Sequence, residues 1–204
     1  MGIISIIGIA LGPAWTSGIN LYATVAVLGL VQKFGWARLP GGLEVLDNWA
    51  IIGIGAGLFC IEFFADKIPY VDSIWDAIHT FIRVPAGAVL AFAATTELNP
   101  AVQVIAVLLG GGLALSSHGT KSALRATANL SPEPVSNWVL SLVEDVIAIG
   151  GALLAVFAPI LILMVLGIFL IILAWILPRV VRRIRRMFST VAGLFRRRPA
   201  LGRA

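Results

Sequence analysis

His118, Lys121 and Arg125 stand three and four residues apart in LSSHGTKSALRATANL, a polar island between long apolar runs. On a helix this spacing places them along one side, with Asn129 one turn further. Two cations, an imidazole and an amide on one face are suited to holding a phosphate or a carboxylate. Acids and a second histidine occur elsewhere at comparable spacings. Glu62 and Asp66 are one turn apart, and Asp72, Asp76, His79 and Arg83 fall at i, i+4, i+7 and i+11, one continuous helix face. In SPEPVSNWVLSLVEDV, Asn137, Ser141, Glu144 and Asp145 form a polar face on a helix that Ser136 or Asn137 would cap. Carboxylates beside imidazoles suit proton relay, because histidine titrates near neutral pH. These patterns assign Arg83, His118, Lys121, Arg125 and Asn129 to an anionic substrate. They assign Glu62, Asp66, Asp76, His79, Glu144 and Asp145 to coupling protons or cations.

The elements that must position these residues are membrane helices. Of 204 residues 59% are hydrophobic and 12% charged, outside the range of soluble domains. A spanning helix needs roughly 20 apolar residues. Apolar segments lie at about 3–12, 19–32, 49–65, 74–95, 101–115, 136–157 and 159–178. The first two are each too short to cross and are separated by GPAWTSG; the fifth meets its polar segment after a GGG run. The expected fold is therefore an all-α polytopic membrane protein with two structural repeats, 1–98 and 99–178. Each repeat would hold one broken or re-entrant element followed by two long transmembrane helices. Discontinuous helices in corresponding positions are a pointer to a transport site, because their free ends present backbone dipoles at mid-membrane.

A charge at the centre of a membrane helix costs about 2.5 to 3.5 kcal/mol even on the lenient insertion scale, so such residues pair, line water or work. Lys67, Asp72, Glu97 and Glu133 are the ones expected in interfacial loops. The others are expected to pair across the two halves. No HExxH, cysteine pair, G-x-S-x-G or phosphate-binding loop is present. Glu62, Asp66, Asp76 and His79 offer ligand types for a divalent metal without a ligand pattern that demands one. No metal, cofactor or catalytic residue is assigned. The lone Cys60 lies in IIGIGAGLFCIEFF and is expected as a small core residue.

Residues 1–178 hold six Lys or Arg against ten Asp or Glu, whereas residues 179–204 hold nine Arg and no acid. In RVVRRIRRMFSTVAGLFRRR the apolar residues recur at helical spacing, which predicts a basic amphipathic helix over 179–204 lying on anionic lipid. Its unmatched apolar face argues against nucleic acid as the partner. The bias of Lys and Arg toward cytoplasmic segments places this C-terminus inside the cell. Residues 1–12 have no basic n-region or convincing cleavage site, so the N-terminal segment is expected to be retained. Glycine-rich faces permit pairing of copies into a homo-oligomer.

The runs SGINLYATV, EFFADKIPYVDSIWDAIHTFIRVPAG and HGTKSALRATANLSPEPVSNWVLSLVED resemble the small bacterial membrane proteins grouped as domain of unknown function 4126. The resemblance extends to about residue 178. It implies a polytopic protein of the bacterial cytoplasmic membrane and no particular activity.

The residues themselves point first to a transporter or lipid flippase that moves a phosphorylated or carboxylated compound with proton or cation coupling. A non-transporting scaffold is the alternative, with charges that only specify packing. A third reading is a membrane-embedded enzyme acting on lipid head groups, with Asp76 and His79 as acid and base; the sequence supplies no nucleophile for it.

Overall fold

A bilayer offers no water to backbone N–H and C=O groups, so a chain this apolar must satisfy them within helices. The computed structural model describes residues 1–68, 71–128, 135–183 and 185 with their side chains, and the backbone alone at 69, 70, 134, 184 and 186–196. Its elements are α1 (Ile3–Lys33), a 3₁₀ turn (Gly41–Asp47), α2 (Trp49–Ala65), α3 (Pro69–Ala94), α4 (Pro100–Ala128), α5 (Pro134–Phe157) and α6 (Pro159–Arg196). There is no strand among the described residues. Helix starts follow local chemistry: α3, α4, α5 and α6 each open on a proline, whose missing N–H costs nothing in a first turn. Asn48 and Asn99 accept the backbone N–H of Ala50 and Ala101 at 2.8 and 2.9 Å. Ser136 and Asn137, expected as caps of α5, lie inside it because the helix begins at Pro134.

Five helices, α1 and α3 to α6, are long and apolar enough to cross a membrane. A sixth span results if the 3₁₀ turn and α2, which meet at a 76° bend, are counted together. Their outward faces carry Ile54, Phe64, Phe81, Leu108 and Val146, all well exposed. That much apolar surface suits lipid and not water.

The chain divides into two units, Met1–Met164 and Val165–Ala204. In the first, α1 is the central helix and packs against α2, α3, α4 and α5. Most of its length is buried, and its inner residues Ala10, Ala14, Thr16, Ser17 and Gly18 are small enough for neighbours to approach closely. The described part of the second unit continues α6 as helix to Arg196; there the Arg179 guanidinium lies 3.7 Å from the centre of the Trp175 ring. The expected amphipathic faces at 186–196 and the chain beyond lie outside the described side chains.

Three expectations are corrected. α1 does break, but at Asn20 (φ −145°, ψ 101°) and not at GPAWTSG, where the helix continues through Pro13. α4 runs without interruption through Gly110–Gly112. The glycine there serves close packing: a Cβ on Gly110 would stand 2.5 Å from Ala91 Cβ and 2.7 Å from the Gly87 carbonyl of α3. Cys60 is exposed, because α2 turns Ile52, Gly55 and Glu62 inward and Cys60 lies off that face.

Candidate functional site

The inward faces of α2, α3, α4 and α5 converge on the break in α1. Leaving the helix at Asn20 frees backbone groups that a continuous helix would pair, and buried carbonyls need donors. Lys121 Nζ donates to the Ile19 carbonyl at 3.2 Å, and Arg83 Nη1 reaches the Gly18 carbonyl at 3.4 Å. One turn earlier, Ser117 Oγ donates to the Trp15 carbonyl at 2.7 Å. The C-terminal end of the first half of α1 thus meets two cations, the favourable sign for a helix C-terminus. Asn20 caps the second half, its Oδ1 accepting Ala23 N–H at 2.9 Å, while its Nδ2 donates to Asp145 Oδ1 at 2.9 Å.

Around the break lies a network of nine charged side chains, each no more than 6% exposed: Arg83, Lys121 and Arg125 against Glu62, Asp66, Asp72, Asp76, Glu144 and Asp145. Arg83 Nη2 forms a short ion pair with Glu62 Oε1, and Nη1 meets Asp76 Oδ1 at 3.3 Å. Lys121 Nζ stands 3.2 Å from both Glu62 Oε1 and Asp66 Oδ2, 3.6 Å from Glu144 Oε2 and 3.8 Å from Asp76 Oδ1. Arg125 is the most tightly held. Its Nε donates to both oxygens of Glu144 at 3.2 and 3.1 Å, and Nη2 meets Glu144 Oε2 at 2.5 Å and Asp66 Oδ2 at 3.0 Å. Its Nη1 donates to the Asp66 carbonyl at 2.7 Å and ion-pairs with Asp72 Oδ1 at 3.1 Å. This planar fork is a role that lysine would fill poorly.

The histidines stand beside the ion pairs. His79 Nδ1 contacts the Trp75 carbonyl at 2.7 Å and its Nε2 the Tyr22 hydroxyl at 2.8 Å. His118 Nδ1 faces Arg83 Nη1 at 3.1 Å and its Nε2 the Thr80 hydroxyl at 2.7 Å. A cavity of about 280 Å³ between α3 and α4 is lined by Ser73, Asp76, Thr80, Ser122 and Arg125, with Ala77 and Ala126. Asp76 is the loosest of the ion-paired acids here, its closest contacts being 3.3 Å to Arg83 and to Ser122 Oγ.

Ten of the site residues read from sequence therefore come together: Arg83, His118, Lys121, Arg125, Glu62, Asp66, Asp76, His79, Glu144 and Asp145. Asn129 lies outside the described residues. Asp72 is corrected, since it is fully buried against Arg125 and not in an interfacial loop. α3 starts at Pro69, so Asp72 sits in its first turn, where the helix dipole favours an acid. Lys67 lies in the turn between α2 and α3: its Nζ donates to the Phe63 carbonyl at 2.7 Å, and desolvation lowers its pKa from the ordinary lysine value. Asn20, Tyr22, Thr80 and Ser117 join the site without a charge to mark them in the sequence. The available signal was an asparagine with small hydroxyl residues in the middle of an apolar run. Among the described residues no three His, Cys, Asp or Glu side chains converge as a metal site.

A helical multi-pass membrane protein with a buried, mixed-charge network at a broken central helix is the class that these features define. The chain belongs to the family described as Domain of unknown function (DUF4126), whose model matches residues 7–179. Neither the curated proteins nor the solved structures give a match.

Proposed function

We propose that the protein is a transporter of the bacterial cytoplasmic membrane, with its C-terminus inside the cell, that moves an anionic substrate coupled to protons or cations. One observation carries this reading: six buried carboxylates face three buried bases. An uncompensated ion in a low-dielectric interior costs several kcal/mol, so the network is balanced only by taking up positive charge. Glu62, Asp66, Asp72 and Asp145 each have a buried carboxylate oxygen with no hydrogen-bond partner among the described residues, and such an oxygen can bind a proton. The coupling follows from the contacts. Lys121 and Arg125 are occupied by Glu62, Asp66 and Glu144, and neutralising those acids releases the cations to hold a phosphate or carboxylate. The cavity lined by Asp76 and Arg125 offers an anion space beside one of these cations.

The test is purified protein in liposomes with an internal pH dye and an imposed pH gradient. Inorganic phosphate, phosphomonoesters, dicarboxylates and a fluorescent phospholipid are supplied in turn. Gradient-driven uptake of one of them, lost in Lys121→Gln and Arg125→Gln variants that still express, is the expected result. Full activity in both variants removes the role of these bases.

The scaffold reading is favoured by a different observation, namely that each base already touches at least two carboxylates. It predicts no flux of any of these compounds, together with paired charge changes that restore the stability lost in single ones.

A further inference from the structure

The two imidazoles differ in what their partners permit. A backbone carbonyl can only accept and a guanidinium can only donate. His79 Nδ1 faces the Trp75 carbonyl, so Nδ1 carries the hydrogen and Nε2 is left to accept from the Tyr22 hydroxyl. His118 Nδ1 faces Arg83 Nη1, so Nδ1 must be bare and Nε2 carries the hydrogen, which goes to Thr80 Oγ1. Thr80 in turn donates to the Asp76 carbonyl at 3.0 Å, which completes a consistent chain of donors. The histidines are thus opposite tautomers.

Adding a proton has opposite consequences at the two rings. At His118 the only bare nitrogen would acquire an N–H pointing at a guanidinium N–H, and Arg83 would have to leave Glu62 and Asp76 to relieve it. At His79 the proton binds the Nε2 lone pair, and the Tyr22 hydroxyl rotates so that its oxygen accepts the new N–H. No other contact has to change. Opposing influences act on the ring: burial works against a charge, whereas the Trp75 ring, stacked on His79 with centroids 4.3 Å apart, suits one. Glu62 from α2 and Asp76 from α3 bear on it attractively, Arg83 from α3 opposes, and Tyr22 is the group from α1. From α4, His118 contacts Thr80 and Arg83, and Lys121 contacts Asp76, all three on α3.

We propose that His79 is a proton-binding site with Tyr22 as its reversible partner, and that Arg83 holds His118 as a permanently neutral imidazole. This rests on the proton-coupled form of the reading above and assigns where a coupling proton sits. Because the chain has two histidines, the experiment is direct. Untagged protein labelled with ¹⁵N-histidine in lipid nanodiscs is titrated from alkaline to mildly acidic pH while the ring ¹⁵N shifts are followed. The expected alkaline spectrum shows one Nδ1–H and one Nε2–H tautomer. On acidification only the Nδ1–H ring becomes imidazolium; its signals vanish in His79→Asn, and its midpoint falls in Tyr22→Phe. Matching tautomers, or a His118 that titrates, overturn the proposal, and the wild-type spectrum alone decides this should a variant fail to fold. A His79 that never titrates while gradient-driven flux persists also overturns it and leaves coupling to the carboxylates. A titrating His79 without flux refutes the transport reading and sustains the site.

Discussion

α1 and α4 each place small residues midway along an apolar run, yet α1 breaks at Asn20 and α4 stays helical through three glycines. The difference lies in what meets the backbone. At the α1 break Lys121, Arg83 and Thr24 engage backbone oxygens of residues 18–20, and Asn20 caps the segment that follows. At Gly110 the nearest groups of α3 are the Ala91 methyl and the Gly87 carbonyl, and neither can donate a hydrogen bond to a carbonyl released from the helix. Glycine permits a break; supplied partners produce one. The two elements are therefore complementary and not equivalent, since α4 provides the lysine and serine that the opened stretch of α1 uses.

Four substitutions test that contrast. Arg125→Gln leaves Glu144, Asp66 and Asp72 without their shared cation and should cost about 3 to 5 kcal/mol, read as a large fall in thermal midpoint in detergent. A small change would mean that α4 does not hold the network. Gly110→Ala should cost about 1 to 3 kcal/mol in the same assay by overpacking against Ala91 and Gly87. Should it prove neutral, close packing is not why the glycine is there. Asn20→Ala removes a cap and the bond to Asp145, and about 1 to 2 kcal/mol of stability should go with it. Gly112→Ala, at a position with open space around it, should stabilise by about 0.5 to 1 kcal/mol. Destabilisation there would show that α4 does bend at its glycines.

The fold class and the set of charges were legible because both depend on residue type. Apolar length predicts spans, and the i, i+4, i+7, i+11 spacing of Asp72, Asp76, His79 and Arg83 survives intact on α3. Where α1 opens was not legible, because Pro13 carries the stronger local signal and the partners that stabilise the break lie 65 to 125 positions away. Asp72 was misplaced for the same reason: the polar PYVDS neighbourhood looks interfacial until Arg125 is brought to it. Nor could spacing separate His79 from His118. Their difference is a matter of which atom faces a carbonyl and which a guanidinium.

The central position of α1 has a consequence for how the protein is made. The ribosome completes α1 before it has made α3, α4 or α5, so the most enclosed helix enters the membrane ahead of everything that encloses it. Until Arg83, Lys121 and Asp145 have been synthesised, the opened turn at Asn20 has none of its long-range partners. Assembly must therefore proceed inward, with later helices closing around an earlier one that has waited, unpaired at its middle, in the translocon or the lipid.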